Sequence, residues 1–216
     1  MDHYLDIQVL PDPEFPPSML LNALYAKLHR VLVSSGRRDI GVSFPAYRAP
    51  EIVPNAKAED KPPKKINGSL GQILRLHSTH QALSDLMAIN WLHGMCDHLV
   101  LSEIAFIPAN ATHGIVRRVQ ATQSRGERVR QRLLRRVAKR AAYQQITLEQ
   151  AIAQIPSQLP DKWVDLPFLT LKSQSTGQYF RFFIHQASCV AGEKSGEFNA
   201  YALSSKVTLP FFQRSI

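Results

Sequence analysis

The sequence predicts an α+β protein, and three features of its 216 residues lead to that prediction. Alternating patterns typical of strands are separated by two amphipathic helical patterns in the first half of the chain. Further strand patterns fill the last fifty residues, and an Arg-rich helical pattern lies between the two groups. The order of the first group, β-α-β-β-α-β, is the ferredoxin-like arrangement.

Proline and glycine mark the bounds of the first elements. Residues 3–10 alternate as a strand, and Pro16 and Pro17 open an amphipathic helix that ends at Gly36. A second helix is capped by Ser78 or Thr79. The other strands of this half are expected at 39–45, 70–78 and 97–106. Residues 46–69 are rich in Pro and Lys and lack periodicity, which predicts a mobile surface insertion.

The second half begins with an extended pattern and ends in strands. The Arg-rich helix and a short helix around "LEQAIAQI" follow the extended residues 113–122. Strands are expected at 167–175, 178–186 and 197–204, and the tight connection "STG" makes the first two a hairpin. We therefore expect a ferredoxin-like domain over 1–108, which includes the insertion, and a second α+β domain over 109–216.

Composition indicates a protein with a packed core that works in the cytoplasm. Hydrophobic residues make up 44% of the chain, which is too much for general disorder. No apolar run approaches the roughly 18 to 20 residues of a membrane span, and "MDHYLDIQVL" lacks the features of a secretory signal. Cys96 and Cys189 suit a reducing compartment. We expect no membrane partner.

The positive charge of the chain is concentrated in one segment. Ten basic residues and one acid lie between Arg117 and Arg140, so this segment alone carries the net charge of +9 of the whole chain. On a helix, Val129, Leu133 and Val137 share one face, and the cations share the opposite face. Few acids alternate with these cations, which favours an external polyanion such as nucleic acid. A solvated surface helix and a membrane or targeting role stay open.

Histidines supply the candidates for acid–base chemistry. His29 projects away from the core face of the first helix, and an imidazole titrates near neutral pH. An ordinary surface histidine explains the same position. A further histidine group matches no standard zinc spacing, so we expect no metal and no cofactor. That group comprises His77, His80, His93 and His98, together with Cys96.

The C-terminal hairpin offers groups that suit RNA. Its serine hydroxyls can bond ribose or phosphate oxygens, and an exposed aromatic ring can stack on a base. An ordinary polar hairpin with core aromatics is the alternative. The residues concerned are Ser173, Ser175, Gln178, Tyr179 and Phe180.

Over nearly its whole length the chain resembles the CRISPR repeat-processing endoribonucleases of type I-F systems. The resemblance rests on the opening "MDHYLDI", the "KLH" of the first helix, "IGVSFP", "RVQ" before the Arg-rich helix, and "LPFLTLKSQSTGQYFRFFI". It implies an enzyme that binds the stem-loop of the CRISPR repeat and cuts precursor RNA at the 3′ base of the stem. The implied reaction needs no metal: the ribose 2′-hydroxyl attacks the adjacent phosphate and leaves a 2′,3′-cyclic phosphate and a 5′-hydroxyl.

The resemblance also implies roles for individual residues. His29 would be the general acid–base group, Ser173 would hold the ribose of the reacting nucleotide, and Tyr201 would orient His29. Phe180 would stack on the base pair at the foot of the stem. Ser175 would add a contact near the phosphate of the reacting nucleotide. Arg118 and Gln120 would contact base edges, while the Arg-rich helix would follow the major groove and its phosphates through Arg128, Arg132, Arg135 and Arg136.

The resemblance implies as well that the protein stays on the mature guide RNA, with the other subunits of the type I-F surveillance complex as partners. Two segments, 46–69 and the residues between Gln120 and Arg128, are longer than the family pattern. Two other functions are compatible with the sequence. One is a catalytically silent hairpin-binding subunit, and the other is a general basic nucleic-acid-binding protein.

Overall fold

The computed structural model describes residues 1–53, 64–120, 164–189 and 192–213. The predicted Arg-rich helix and the short helix after it lie outside the described residues. Those described form a mixture of helices and strands, which confirms the expected α and β content. In chain order the elements are β1 (His3–Val9), α1 (Pro17–Ser35), β2 (Gly41–Ser43), β3 (Glu51–Val53), β4 (Lys64–Ile66), β5 (Ile73–Ser78), α2 (His80–Ala88), β6 (Leu99–Leu101), β7 (Ala105–Phe106), β8 (Thr112–Val119), β9 (Phe168–Lys172), β10 (Tyr179–Ser188) and β11 (Leu209–Phe211).

The chain divides into two compact units, 1–119 with 165–216, and 120–164. All the helices and strands named above belong to the first unit. The expected division into domains at residue 108 stays a prediction. Within the described ranges, no helix has the length and apolar character that a membrane crossing requires.

The first sheet is antiparallel throughout. Its strand order is β2-β5-β1-β6, and β7 also pairs with β1. The strand predicted over 97–106 is therefore two short strands, which pair with the two ends of β1. Between them Ser102 turns inward, so that its hydroxyl accepts the Asp6 N–H at 2.9 Å. The central position of β1 explains why six of its seven residues are buried.

Helix α1 forms as predicted and covers the core. Apolar residues recur every three or four positions, and Leu24 and Leu28 are at most 1% exposed. Pro17 occupies the first turn, and Gly36 ends the helix in the left-handed conformation with a φ of 68°. One hydrophobic cluster includes residues of this helix and of both larger sheets, and α1 packs against β1 of the first sheet and β9 of the C-terminal hairpin.

The second sheet has the order β11-β8-β10-β9, and its strands are antiparallel. The predicted hairpin is β9 and β10, which pair from Lys172 opposite Tyr179 to Phe168 opposite Phe183. Burial alternates along β9, with Leu169 and Leu171 inward. One face of β9 therefore packs on the core and the other is exposed, while Phe183 of β10, on this second face, is 6% exposed.

The strand predicted over 197–204 is wrong. These residues form a turn, in which the side-chain oxygen of Asn199 accepts the N–H groups of Tyr201 at 2.8 Å and Leu203 at 3.3 Å. Ala202 has a φ of 56°, which is incompatible with a strand. The hydrogen bonds of the Asn199 side chain thus override the alternating pattern. The last strand is β11, which the sequence analysis did not predict.

The predicted insertion contains a small two-stranded ladder. Glu51 pairs with Ile66 across β3 and β4, and a bridge joins Arg48 to Ser69 below them. Lack of periodicity therefore concealed regular structure, because three-residue strands are too short to display a pattern. The mobility of this insertion stays a prediction.

A buried ion pair within the first sheet also holds the C-terminal segment. The Arg75 guanidinium donates to both carboxylate oxygens of Asp6, at 2.6 and 2.8 Å, and to the Phe212 carbonyl oxygen at 2.8 Å. The rings of Tyr4 and Phe212 lie 4.7 and 3.9 Å from the guanidinium carbon. Arg75 is 1% exposed, so its charge depends on these partners.

Replacing Asp6 with Ala should lower the free energy of unfolding by about 3–5 kcal/mol, because the Arg75 charge would remain buried without its carboxylate. Urea unfolding measures this. The half-exposed pair of Arg37 and Asp39 provides the control, since Asp39→Ala should cost about 0.2–1 kcal/mol. Equal losses in the two variants would contradict a special role for the buried pair.

His77 should make the fold sensitive to acid. Burial, with a smaller contribution from the Arg75 charge, lowers its pKa to about 3, whereas the unfolded chain takes up this proton near pH 6.5. The unfolded state therefore binds more protons between these values. Stability should fall as the pH drops through this window, by up to about 1.4 kcal/mol per pH unit.

The measurement is urea unfolding at several pH values within that window. His77→Gln should show a weaker pH dependence than the wild type. His80→Gln, at an exposed position on α2, should keep the wild-type slope. Parallel slopes for the wild type and His77→Gln would show that His77 does not cause the acid sensitivity.

Candidate active site

A cleft of about 1260 Å³ opens beside the C-terminal half of α1 and the tip of the β9–β10 hairpin. Five of the residues that the sequence analysis selected line it together: His29, Ser173, Ser175, Phe180 and Tyr201. They come from three separate parts of the chain. The fold therefore assembles them, and all five belong to the first compact unit.

His29 is held by a backbone carbonyl group. Its Nδ1 lies 2.8 Å from the carbonyl oxygen of Ala200, and a carbonyl oxygen can only accept. The neutral imidazole therefore carries its proton on Nδ1, and Nε2 keeps a lone pair. His29 is partly exposed on the wall of the cleft. The arrangement can accept a proton from a group bound there.

Tyr201 fixes the plane of the imidazole. Its ring stacks on that of His29 with a centroid distance of 4.0 Å and an interplanar angle of 7°. The Tyr25 hydroxyl donates to the Tyr201 carbonyl oxygen at 2.8 Å, and Phe182 packs against the Tyr201 ring at 4.7 Å. Burial raises the pKa of Tyr25, so this donor stays protonated and holds the turn in place.

The turn itself was missed by the sequence analysis. The Asn199 side chain organises it, and it presents the Ala200 carbonyl oxygen and the Tyr201 ring to His29 together. A backbone carbonyl has no signature in sequence. The available signal was Asn199, because asparagine favours turns through hydrogen bonds of this kind.

The serines lie at the tip of the hairpin. The hydroxyls of Ser173 and Ser175 are 3.2 Å apart, and the Thr176 N–H donates to the Ser173 hydroxyl oxygen at 3.3 Å. Gly177 closes the turn with a φ of 68° and donates its N–H to the Ser173 carbonyl oxygen at 2.9 Å. Two hydroxyl groups are thus directed to one place, where they can bond a polar ligand.

Arg118 lies beside the aromatic cluster of the site. On β8 it is opposite Ile184 of β10, and its guanidinium carbon is 5.7 Å from the Phe180 ring and 5.0 Å from the Phe182 ring. Both distances are within the range of a cation–π interaction. Gln120 follows β8 and is exposed. Four other predicted residues lie outside the described residues: Arg128, Arg132, Arg135 and Arg136.

The described lining of the cleft is cationic. Lys27, Arg30 and Lys172 contribute to it, and it includes no Asp or Glu. In the ranges that the structure describes, no group of three or more His, Cys, Asp or Glu residues could hold a metal ion. The cleft can therefore attract an anion and bring a proton acceptor and two hydroxyls to it.

The family model and the similar proteins with known names point to the same family. Residues 4–212 match the family model described as CRISPR-associated protein (Cas_Csy4). The CRISPR-associated endonuclease Cas6/Csy4 of Pseudomonas aeruginosa (strain UCBPP-PA14) is 40% identical over 212 residues, which cover 98% of this chain and 100% of that protein. Its counterpart from Escherichia coli (strain UTI89 / UPEC) is 41% identical with the same coverage.

A solved structure described as "An RAMP protein binding different RNA substrates" is 13% identical and covers 98% of this chain and 100% of its own. Its TM-score of 0.33 is too low to bear on the fold of this chain.

The tautomer of His29 can be tested by nitrogen NMR of histidine-labelled protein. The neutral side chain should carry its proton on Nδ1, because Ala200 accepts it. Asn199→Ala should loosen the turn and shift the population towards the Nε2-protonated form. Asn110→Ala, in the turn before β8, should leave the His29 signals unchanged. An Nε2-protonated imidazole in the wild type would contradict the described geometry.

Proposed function

Because the chain belongs to the Cas_Csy4 family of CRISPR-associated proteins, we propose that it is an endoribonuclease that binds the CRISPR repeat stem-loop and cleaves precursor CRISPR RNA at the 3′ base of the stem. One observation carries this proposal. His29, with its Nε2 lone pair available, shares a cationic cleft with the Ser173 and Ser175 hydroxyls. Two relatives at about 40% identity are named as endonucleases.

The proposed reaction uses a nucleophile that belongs to the RNA. Nε2 of His29 accepts the proton of the ribose 2′-hydroxyl, whose oxygen attacks the adjacent phosphorus. The bond from phosphorus to the 5′ oxygen breaks, and the protonated imidazole is a proton source for the leaving oxygen. The products are a 2′,3′-cyclic phosphate and a 5′-hydroxyl. This chemistry needs only a proton acceptor, a positioned nucleophile and cations, so no metal or cofactor is part of the proposal.

The other cleft residues position the reacting groups. Ser173 holds the ribose of the reacting nucleotide, and Ser175 adds a contact near the phosphate of that nucleotide. The distance of 3.2 Å between their hydroxyl oxygens supports contacts of both serines with one nucleotide. Tyr201 orients His29 through the stacked rings. Phe180 stacks on the base pair at the foot of the stem. The support for this role is that its ring lines the cleft and is partly exposed.

Basic and polar side chains bind the hairpin. Arg118 and Gln120 contact base edges low in the stem, and the placement of the Arg118 guanidinium beside the Phe180 ring supports this for Arg118. Residues of the Arg-rich segment follow the phosphates of the stem. For Arg128, Arg132, Arg135 and Arg136 the support is the concentration of charge in the sequence and the resemblance.

The proposal extends to the fold of the first sheet and its helices, to the partners and to the location of the protein. The strand order β2-β5-β1-β6 with antiparallel neighbours supports a ferredoxin-like fold for the first sheet and its helices. The resemblance to the type I-F repeat-processing endoribonucleases supports retention on the mature guide RNA beside other subunits of the surveillance complex, and the composition supports a cytoplasmic location.

The test is cleavage of a CRISPR repeat hairpin in the presence of EDTA. His29→Ala should slow cleavage by about 10²–10⁴-fold, because the proton acceptor is lost, while hairpin affinity stays unchanged. The 5′ product of the wild type should have the mass of a 2′,3′-cyclic phosphate. His80→Ala, an exposed histidine on α2, is the matched control. Wild-type rates for His29→Ala, or a product with a 3′-hydroxyl, would contradict the proposal.

A further inference from the structure

The face of the second sheet that points away from the core carries aromatic and basic side chains. Directly opposite residues of antiparallel strands share a face, so the pairs Lys172–Tyr179, Thr170–Arg181 and Phe168–Phe183 lie together, as does Arg117 opposite His185. We call this surface the outer face. Its main residues are Arg117, Phe168, Lys172, Tyr179 and Arg181.

Two aromatic rings on the outer face are exposed next to cations. Tyr179 is 71% exposed and Phe168 is 40% exposed. The Lys172 ammonium lies 5.7 Å from the centroid of the Tyr179 ring, and the Arg181 guanidinium lies 4.8 Å from that of Phe168. Phe183 supports Phe168 from below at 5.3 Å. The rings are thus held in place while their accessible surfaces stay open.

Among the described residues, the cations of this face have no carboxylate partner. In the described part of the chain, no ion pair involves Arg117, Lys172 or Arg181. Burial lowers the pKa of His185, and the positive charge of the neighbouring Arg117 lowers it further. Unpaired cations side by side suit an anionic partner.

The outer face is continuous with the proposed active site. Lys172 is both a member of this face and a lining residue of the catalytic cleft, and Ser173 follows it directly in the chain. At the other end of β9, Phe168 lines a second cavity of about 880 Å³. A chain that leaves the cleft at Ser173 therefore meets Lys172 first, then Tyr179, and then Arg181 and Phe168.

We propose that the outer face binds the single-stranded RNA that continues on the 3′ side of the scissile phosphate. Lys172 and Arg181 contact its phosphates, and the rings of Tyr179 and Phe168 stack on two of its bases. The inference rests on the proposed function, because the position of the scissile phosphate at Ser173 and His29 defines where this strand starts.

The chemistry of the surface favours RNA over a protein partner. Bases stack on aromatic rings without regard to sequence, and a positive surface follows the backbone; this combination is typical of single-strand binding on sheets. The exposed aromatics here alternate with cations, so an RNA strand can place its bases on the rings and its phosphates on the cations in turn. An acidic protein surface would use the cations but leave both rings without stacking partners.

The test compares three RNAs built on a CRISPR repeat hairpin that the wild type cleaves. Each has 2′-deoxyribose at the reacting nucleotide, so that it stays intact. The first ends just past the scissile phosphate, the second has a single-stranded 3′ extension, and the third has a 5′ extension of equal length. Their dissociation constants are measured for the wild type and for the double variant Tyr179→Ala/Arg181→Ala.

The wild type should bind the 3′-extended RNA at least about 30-fold more tightly than the short hairpin, which is the lower end of the range for the stacking of two bases. The double variant should lose this gain, yet bind the short hairpin and cleave its all-ribose form like the wild type. Phe106→Ala removes a ring that is 73% exposed on the other large sheet, and this control should keep the gain.

Three results would overturn the inference alone: no gain from the 3′ extension, a gain that the double variant retains, or a gain only with the 5′ extension. Without a gain from the 3′ extension, a protein partner would be the remaining candidate for the outer face. The proposed function fails in a different way, through the absence of cleavage of any all-ribose repeat hairpin by the wild type, and the inference would fall with it.

Discussion

The hydrogen bond from His29 to the Ala200 carbonyl oxygen is the constraint on which the proposed chemistry depends. It joins groups 171 positions apart in the chain, which the fold of the first unit brings together. The bond determines which imidazole nitrogen keeps a lone pair, and the stacked Tyr201 ring determines the plane in which that lone pair points. Helix α1 and the Asn199 turn are each anchored in the core, and the distance between them is therefore preserved.

Binding and chemistry are assigned to different parts of the molecule. The concentrated charge between Arg117 and Arg140 suits phosphate contacts along a stem, but none of those cations can accept a proton. The cleft contributes the acceptor, two hydroxyls and a stacking ring. In the proposed function, such a division would allow an RNA of defined shape to be held tightly while only one phosphate reaches His29. It also allows tight retention of the product after the cut.

Much of the first unit could be predicted because its signals are local. The apolar spacing of α1, with Pro17 at its start and Gly36 at its end, is contained within twenty residues, and the "STG" turn identifies the hairpin in the same way. His29 and Ser173 were candidates from the patterns of the first helix and the hairpin, and their proposed roles came from the resemblance. Their shared cleft depends on the packing of α1 against β9, which the sequence analysis did not predict.

What could not be predicted depends on contacts between distant segments. The Ala200 carbonyl oxygen has no sequence signature, and residues 197–204 alternate like a strand although Asn199 turns them. Strand β11 is three residues long and exists because β8 offers it an edge. Likewise, the pairing of Arg75 with Asp6 and Phe212 joins three separate stretches that show no relation in the sequence.

The central claim is that His29 activates a hydroxyl that belongs to the RNA itself. The most direct measurement is cleavage by the wild-type protein of a repeat hairpin with 2′-deoxyribose at the reacting nucleotide alone, beside binding of the same RNA. The account predicts undetectable cleavage with the affinity of the all-ribose hairpin. Cleavage of the deoxy substrate at the same bond would contradict it, because the nucleophile would then have to come from water or from the protein.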